Sequence, residues 1–288
     1  MAVLVDRTTR VLVQGVTGKV GAFQTRAMIA SGTNVVAGVT PGKGGTMLEG
    51  VPVYDNVEDA MGHEPDVAIS FVPARFAEDA AIEAIDGRVP LLIITTAGIP
   101  DQSVLRVLHH ARRKGTRVLG PDTPGLVSPG GSKVGVHPDR VLARGRIGIV
   151  SRSGALSYEV CKQIVEGGFG QSTVIGIGGG PLWDVSFVDV LEWFECDAQT
   201  DAIVLLGEIG GGLEQEAASH ISSSMSKPVV ALVVGRSAPR GAQLGHAGAI
   251  IEGDLETAEK KREMLANAGA SVVMSARETV QALRELGV

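Results

Sequence analysis

The sequence predicts an α/β protein with mainly parallel sheets, and three observations support that prediction. Short apolar runs alternate along the chain with segments of amphipathic helical pattern, which is typical of βαβ units. Aromatic residues make up only 3% of the 288 residues, so Val, Ile, Leu and Ala must fill the core, as they do in buried parallel strands. Many of the 39 glycines follow apolar runs directly, where tight strand-to-helix turns are expected.

The first half of the chain has the pattern of one doubly wound sheet. Its predicted strands are Arg10–Gln14, Asn34–Val39, Asp66–Val72, Pro90–Thr95 and Thr116–Leu119. Its predicted helices are Lys19–Ala30, Phe76–Ile85 and Asp101–Lys114. Because crossovers between parallel strands are right-handed, we expect an open, Rossmann-like sheet, and we assign residues 1–125 to this domain.

The alternation lapses over residues 126–145, where proline, glycine and polar residues dominate, and we predict a linker there. It resumes in residues 146–288, which we predict to be a flavodoxin-like domain. The predicted strands are Arg146–Val150, Ser172–Ile177, Asp201–Leu206, Pro228–Val234 and Ser271–Met274. The predicted helices are Ala155–Glu166, Phe187–Phe194, Leu213–Met225, Leu255–Ala268 and Ala276–Leu286.

Composition argues against several classes of protein. The net charge is −6 and no basic tract is interleaved with aromatics, so nothing indicates nucleic-acid binding. No apolar run approaches the ~20 residues of a membrane span, and the N-terminus lacks the layout of a signal peptide. The two cysteines, Cys161 and Cys196, fall in helical segments and predict neither a disulfide nor a metal site. We therefore expect a cytoplasmic protein that is not bound to a membrane.

A glycine-rich turn follows the first strand. Gly15, Gly18 and Gly21 are spaced as GxxGxxG, and such a turn lets a helix N-terminus face a phosphate. The spacing differs from the GxGxxG of dinucleotide folds, and an alternative role for these glycines is to bring helix and strand close together.

The segment after the second strand favours CoA over NAD. A dinucleotide fold places Asp or Glu about 20 residues after the glycine turn to hold the ribose hydroxyls. Residues 34–48 contain no acidic side chain, and Lys43 lies between glycines instead. A cation there suits a phosphorylated ribose, as in CoA or NADP, although a solvated lysine on a loop is an alternative.

Three later turns follow predicted strands and include Pro73, Thr96 and the Asp122–Pro124 segment. Ligands of open α/β sheets lie across the carboxyl ends of the strands, so these turns are placed to contact a long ligand such as a pantetheine arm. Asp122 and Thr123 are equally explained as turn-forming residues.

One of the six histidines stands out by its neighbours. His246 lies in Gly-His-Ala-Gly-Ala-Ile-Ile, after a glycine- and proline-rich loop, and small residues on both sides leave its ring uncovered. Glu208 directly follows a predicted buried strand, where its carboxylate could accept from one ring nitrogen and leave the other as a nucleophile. Ser153 and Gly154 begin a helix whose free N–H groups suit a phosphoryl group. Structural roles for each of these residues, as a turn histidine or a helix cap, remain alternatives.

Taken together, five motifs resemble the α subunit of succinyl-CoA synthetase, in order and over essentially the whole chain. They are Gln14–Gly18, Gly38–Gly45, Val150–Gly154, Gly207–Gly211 and Gly245–Ile251.

The resemblance implies a CoA-binding N-terminal domain and a ligase domain. It also implies a mechanism in which ATP or GTP phosphorylates His246, the phosphoryl group passes to a carboxylate, and the CoA thiol displaces phosphate. Glu208 would orient His246. CoA contacts are predicted for Gly15, Thr17, Gly18, Lys19, Val20, Lys43, Pro73, Thr96, Asp122, Thr123 and Pro124. Phosphoryl or substrate contacts are predicted for Ser153, Gly154, Ala155, Gly179, Gly180 and Trp183.

The sequence lacks a GxxxxGK[ST] phosphate loop. In the family the nucleotide, with Mg²⁺, is bound by an ATP-grasp β subunit, so we expect an αβ or α2β2 assembly that acts in the tricarboxylic acid cycle. We expect no metal site on this chain.

The chain departs from the family pattern in two places. Family members commonly have Asn-Cys-Pro at Asp122–Pro124, and Gly-Gly-Asp-Pro where this chain has Gly179-Gly-Pro-Leu-Trp-Asp. Succinate is the expected acid, with malate or a specialised-pathway acid as the alternative, and an amine could replace the thiol as acceptor. A non-catalytic CoA-binding regulator is a second alternative. An NAD(P)-dependent dehydrogenase is disfavoured by the missing ribose acid.

Overall fold

The structure is a computed structural model that describes residues 3–288. The chain forms two compact units. One comprises residues 5–137 with 182–184, and the other comprises residues 138–181 and 185–288 with Val3 and Leu4. No helix in the described range is long and apolar enough to cross a bilayer.

The N-terminal unit is built on a seven-stranded sheet. Its strands are β1 (Arg10–Gln14), β2 (Asn34–Val39), β3 (Met47–Leu48), β4 (Val51–Tyr54), β5 (Val67–Ser70), β6 (Leu91–Ile94) and β7 (Arg117–Leu119). Its helices are α1 (Lys19–Ala30), α2 (Val57–Ala60), α3 (Ala74–Asp86) and α4 (Asp101–Lys114). The order is β3-β4-β2-β1-β5-β6-β7, with β3–β4 antiparallel and the other pairs parallel. Strand order therefore reverses between β1 and β5, where such folds bind ligands.

An antiparallel pair follows, β8 (Gly125–Val127) with β9 (Lys133–Gly135). These strands and a 3₁₀ turn at Asp139–Val141 lie largely within the stretch 126–145, for which the sequence predicts a linker. No strand was predicted there, because each strand has only three residues, too few to show a strand period, and lies among proline, glycine and polar residues.

The C-terminal unit repeats the βα alternation. Its strands are β10 (Arg144–Ser151), β11 (Gln171–Gly176), β12 (Ala202–Gly207), β13 (Val229–Val233) and β14 (Ser271–Val273). Its helices are α5 (Gly154–Glu166), α6 (Phe187–Cys196), α7 (Leu213–Ser224), α8 (Ala258–Asn267) and α9 (Ala276–Glu285). These five strands are parallel in the order β14-β13-β12-β10-β11, so the reversal lies between β10 and β12.

The predicted fold class is confirmed: two mainly parallel sheets alternate with helices. The prediction for α8 began three residues too early, since Asp254–Glu256 forms a 3₁₀ turn and Thr257 caps the helix by accepting from Lys260 N. Valine, isoleucine and leucine dominate the core, as the low aromatic content requires. Two cations, Arg152 and Lys261, are also among the largest fully buried side chains. Buried charges need partners, and theirs lie at the candidate site.

Candidate active site

A cavity of about 630 Å³ opens at the reversal point of the N-terminal sheet. It is lined by the residues that follow β1 and β5, by the end of β2 and by one face of α3. These residues are Gln14, Gly15, Thr17, Gly18, Val39, Thr40, Pro41, Phe71, Val72, Pro73, Phe76, Asp79, Ala80 and Glu83. The volume and largely apolar lining are those of a small-molecule site.

The glycine turn beside this cavity depends on close backbone approach. Gly15 has φ +74°, a conformation that favours glycine. A Cβ at Gly21 would lie 2.1 Å from the Gly15 carbonyl oxygen, so only glycine lets α1 begin this close to β1. The N-terminus of α1 carries no acidic side chain in its first turn, which leaves its dipole available to an anion.

The structure brings together only some of the predicted CoA contacts. Gly15, Thr17, Gly18 and Pro73 line the cavity. The other predicted contacts, all in the described part of the chain, lie outside the lining: Lys19, Val20, Lys43, Thr96, Asp122, Thr123 and Pro124. Lys43 is exposed on the loop two residues beyond Pro41, which does line the cavity.

The predicted contacts at Thr96 and Asp122–Pro124 form a turn of their own. Asp122 N donates to Thr96 O at 3.2 Å, and Thr96 Oγ1 donates to Val72 O at 2.6 Å. Asp122 has φ +56°, a left-handed conformation that Asn and Asp tolerate better than other non-glycine residues. Thr123 is buried and its Oγ1 accepts from Gly125 N at 2.9 Å. These contacts favour the turn-forming interpretation of Asp122 and Thr123.

Gln14 is a cavity residue that the sequence analysis missed. It is buried at the end of β1, and its Nε2 donates to Ala80 O at 2.7 Å. Its Oε1 has no hydrogen-bond partner within the described residues. The sequence did contain a signal for this residue: Gln14 is a polar residue at the end of an apolar strand, immediately before the glycine turn.

His246 and Glu208 are in contact in the C-terminal unit. His246 Nδ1 lies 2.8 Å from Glu208 Oε2, and the two side chains are 27% and 7% exposed. Glu208 directly follows β12, and His246 lies in the loop after β13. Because parallel strands end at the same edge, the two turns meet beside the reversal point between β10 and β12.

Behind this pair lies a buried network of four charges, which we call the charge quartet: Arg152, Glu208, Glu214 and Lys261. Arg152 Nη2 is 3.2 Å from Glu208 Oε1, and Arg152 Nη1 is 3.1 Å from Glu214 Oε1. Lys261 Nζ donates to Glu214 Oε2 and, at 2.9 Å, to Glu208 O. With two cations and two carboxylates the quartet is neutral, so no member is left as an uncompensated buried charge. Losing one member of such a set typically costs about 3–5 kcal/mol.

The sequence analysis named only Glu208 among these four. Arg152 was visible as a charge between two serines after an apolar strand. Lys261 was visible as a lysine on the apolar stripe of α8, whose other buried members are Ala258 and Leu265. Glu214 gave no comparable signal in the sequence.

The remaining predicted contacts lie in different settings. Ser153 is the N-cap of α5 and accepts from Leu156 N, so its capping role is present, and Gly154 and Ala155 form the first turn of that helix. Gly179 O accepts from Gly248 N at 3.1 Å, which places Gly179 against the His246 loop, and Gly180 follows with φ +70°.

Trp183 and its neighbour belong to the N-terminal unit. Trp183 is half-buried, and the adjacent Asp184 accepts from Val118 N at 3.0 Å. The Asp184 carboxylate, which is displaced along the chain from the acidic residue of the family pattern, therefore binds the backbone of the edge strand β7. This contact favours a structural role for Asp184.

Comparison with known proteins identifies the family. The CoA binding domain family matches residues 6–98, and the CoA-ligase family matches residues 150–271. α subunit 1 of the ADP-forming succinate–CoA ligase of Archaeoglobus fulgidus is 50% identical over 99% of this chain and 98% of its own. The corresponding α subunit of Methanothermobacter thermautotrophicus is 53% identical, with the same coverage. The chain belongs to the succinate–CoA ligase α-subunit family.

Solved structures agree with this family assignment. ATP citrate lyase from Methanothrix soehngenii, solved with citrate and coenzyme A, is 26% identical and superposes with a TM-score of 0.88 over 99% of this chain. The chain spans 52% of the length of that lyase chain. A dinucleotide-forming acetyl-coenzyme A synthetase of Ca. Korarchaeum cryptofilum shares the fold, with 22% identity and a TM-score of 0.78 over 95% of this chain and 59% of its own. The chain is thus a ligase-family protein with a CoA binding domain and a CoA-ligase domain.

Proposed function

We propose that this chain is the α subunit of an acid–CoA ligase that uses ATP or GTP to join succinate to CoA, with His246 as the phosphoryl carrier. The observation that carries the proposal is the contact of His246 Nδ1 with the buried Glu208 carboxylate. An ionised carboxylate only accepts hydrogen bonds, so Nδ1 carries the proton and the Nε2 lone pair is the nucleophile.

With Nε2 as the nucleophile, the proposed reaction proceeds by two phosphoryl transfers and one acyl transfer. His246 Nε2 attacks the γ-phosphorus, and the bond from phosphorus to the nucleoside diphosphate oxygen breaks. A succinate carboxylate oxygen then attacks the phosphorus, the N–P bond breaks, and an acyl phosphate forms. Finally the CoA sulfur, having lost its proton, attacks the carbonyl carbon, and inorganic phosphate leaves. A carboxylate is a poor electrophile, and the phosphohistidine divides one difficult condensation into easier steps.

Each unit supplies a different part of this chemistry. The cavity at the reversal point of the N-terminal sheet has the lining and glycine turn that suit CoA, with Lys43 assigned to the ribose phosphate. In the C-terminal unit, the Glu208 carboxylate accepts the hydrogen bond from His246 Nδ1–H, and the free N–H groups of α5 would stabilise the phosphoryl group. The nucleotide with its Mg²⁺ is assigned to a β subunit, which we expect to have an ATP-grasp fold. The chain is expected to be inactive alone.

The test is phosphopeptide mass spectrometry on the chain purified with its natural partner. The complex is incubated with Mg-ATP or Mg-GTP at neutral pH, which preserves phosphohistidine. We expect phosphate on His246 that disappears when CoA and succinate are added together, with succinyl-CoA as the product.

A panel of acids separates the alternatives. Discharge by malate or another small acid, and not by succinate, would retain the ligase and change its substrate. Discharge with an amine and no CoA would change the acceptor. No phosphate on His246 with either nucleotide would overturn the proposal and favour a CoA-binding regulator.

A further inference from the structure

The polar groups of Glu208 are held by four different residues. Its backbone N–H donates to Glu214 Oε1 at 3.0 Å, and its carbonyl accepts from Lys261 Nζ at 2.9 Å. Its carboxylate forms an ion pair through Oε1 with Arg152 Nη2 at 3.2 Å, without hydrogen-bond geometry, and a hydrogen bond through Oε2 with His246 Nδ1 at 2.8 Å. The carboxylate therefore cannot shift without disturbing a buried contact.

Arg152 and Lys261 also bind the backbone at Gly210, two residues after Glu208. Gly210 O accepts from Lys261 Nζ at 2.6 Å and from Arg152 Nη1 at 2.9 Å. Gly210 has φ +80°, and a Cβ there would lie 2.2 Å from Gly248 O, which belongs to the His246 loop. Lys261 thus fixes both the residue that contacts His246 and the backbone against which the His246 loop packs.

A contribution to folding stability does not explain why the chain buries the four charges of the quartet. Lys261 occupies a position on the buried stripe of α8, where an apolar side chain would pack without desolvation. Replacing buried ion pairs by apolar residues of similar volume is often neutral or stabilising. Burial lowers the pKa of the Lys261 ammonium, with the Glu214 carboxylate opposing that shift. Burying Lys261 therefore costs desolvation free energy, and the specific result of that burial is the fixed position of Glu208.

We propose that Glu214 and Lys261 are positioning residues for the Glu208–His246 pair: by fixing the backbone of Glu208 on both sides, they select the Nδ1–H tautomer of His246. This inference rests on the proposed function for its effect on rate, whereas its effect on the tautomer stands without it. Neither residue touches the reacting atoms.

The variant that tests the inference is Glu214→Met combined with Lys261→Met. It removes one carboxylate and one cation, so the remaining Arg152–Glu208 pair stays balanced. The matched control is Lys227→Met. Lys227 Nζ also donates to two backbone carbonyls in this unit, Phe194 O and Asp197 O, each at 2.6 Å, and within the described part of the chain it forms no hydrogen bond or ion pair with the charge quartet.

The direct measurement is ¹⁵N NMR of the chain labelled at histidine, with His246 assigned by its loss in His246→Gln. The wild-type chain and Lys227→Met are expected to show the Nδ1–H tautomer at neutral pH. The double variant is expected to shift His246 towards the Nε2–H tautomer. Melting temperatures and CoA dissociation constants should match those of the control.

The second measurement is the rate of His246 phosphorylation in the complex with the β subunit at saturating nucleotide. Misplacement of a catalytic group by about 1 Å can cost on the order of 10²-fold, so we expect a 10–100-fold loss of rate with the nucleotide KM changed less than twofold. Absence of phosphorylation in the wild type would overturn the proposed function and leave the tautomer test standing.

Two results would overturn the inference. One is an unchanged tautomer in the double variant. The other is a phosphorylation rate within twofold of Lys227→Met. If the double variant does not fold, Glu214→Gln combined with Lys261→Gln leaves Arg152 and Glu208 as a balanced pair with polar side chains beside them. This variant is expected to show the same shift in smaller measure, and an unchanged tautomer in it overturns the inference as well.

Discussion

Two histidines in this chain contact carboxylates at nearly the same distance and in very different settings. His110 Nε2 lies 2.9 Å from Asp86, whose side chain is 52% exposed, and His246 Nδ1 lies 2.8 Å from Glu208, which is 7% exposed. Water competes for Asp86 and screens its charge, whereas Glu208 is nearly inaccessible to solvent and its carboxylate contacts Arg152 and His246. Burial of the carboxylate therefore distinguishes the two pairs where distance does not.

Lys43→Ala tests the assignment of the ribose phosphate. A charge-assisted hydrogen bond contributes about 1.5–3 kcal/mol, so CoA affinity should fall roughly 10–100-fold while dephospho-CoA affinity stays nearly constant. Calorimetric titration with both ligands measures this. Lys114→Ala, whose ammonium pairs with Asp86 at 3.0 Å, is the control and should leave both affinities unchanged. Equal losses for the two ligands would remove Lys43 from the phosphate site.

The two cysteines should differ in reactivity. Burial raises the pKa of the Cys161 thiol to about 12, and Cys196 is exposed. At pH 8 the thiolate fraction of Cys161 is then about 10⁻⁴, so a thiol reagent should modify one thiol in the folded chain and two in denaturant. Because the folded pKa is raised, alkaline pH promotes Cys161 modification only as it approaches that value. Peptide mapping that found Cys161 modified at pH 8 would contradict its burial.

At the level of secondary-structure elements, turns after strands build both candidate sites. The C-terminal ends of β1 and β5 supply the cavity, and those of β10, β12 and β13 supply Arg152, Glu208 and the His246 loop. The rigid strands fix where each turn begins, while the turns carry the polar groups.

Gly21→Ala tests how far α1 depends on close approach to β1. The added methyl would lie 2.1 Å from Gly15 O and must displace the turn, at about 1–3 kcal/mol of stability. CoA affinity should fall with it, because the turn lines the cavity. Thermal unfolding and CoA titration measure both effects. Gly62→Ala meets nothing within 4 Å and should leave both values unchanged. Normal CoA affinity in Gly21→Ala would mean that the turn does not contact the ligand.

The strands that the sequence did not predict are β3, β4, β8 and β9, which have two to four residues each. β3 has two residues and β4 contains Pro52, so neither shows the period or length of a strand, and their pairing depends on the neighbouring β2. The helices of ten or more residues and most strands were predicted because their apolar spacing is set by burial on one face or two, whereas the four-residue α2 was not predicted.

At the scale of the whole molecule, each unit has its own reversal point, and we propose CoA binding for one unit and phosphoryl transfer for the other. His246→Ala should therefore abolish ligation by the αβ complex and leave CoA affinity within twofold of the wild type. The control is His220→Ala on α7 of the same unit, which should retain activity. A parallel loss of CoA affinity and activity in His246→Ala would contradict this separation of roles.

The sequence by itself determined the strand and helix alternation, the glycine turns, and the places of Glu208 and His246 after their strands. These features are local, because periodicity and turn chemistry act within a few residues, and a parallel sheet then gathers the turns at one edge.

Only the tertiary structure decided which charges stand behind Glu208. Lys260 and Lys261 are adjacent and chemically identical, yet Lys260 is 49% exposed and pairs with Glu263, while Lys261 is fully buried. The partners that explain this burial lie 47 and 53 residues away in the chain, and Arg152 lies 62 residues from Glu214. The position of Lys261 on the apolar stripe of α8 can be recognised in the sequence, but the counter-charges that make its burial possible are identified only when the fold brings distant residues to the same edge of the sheet.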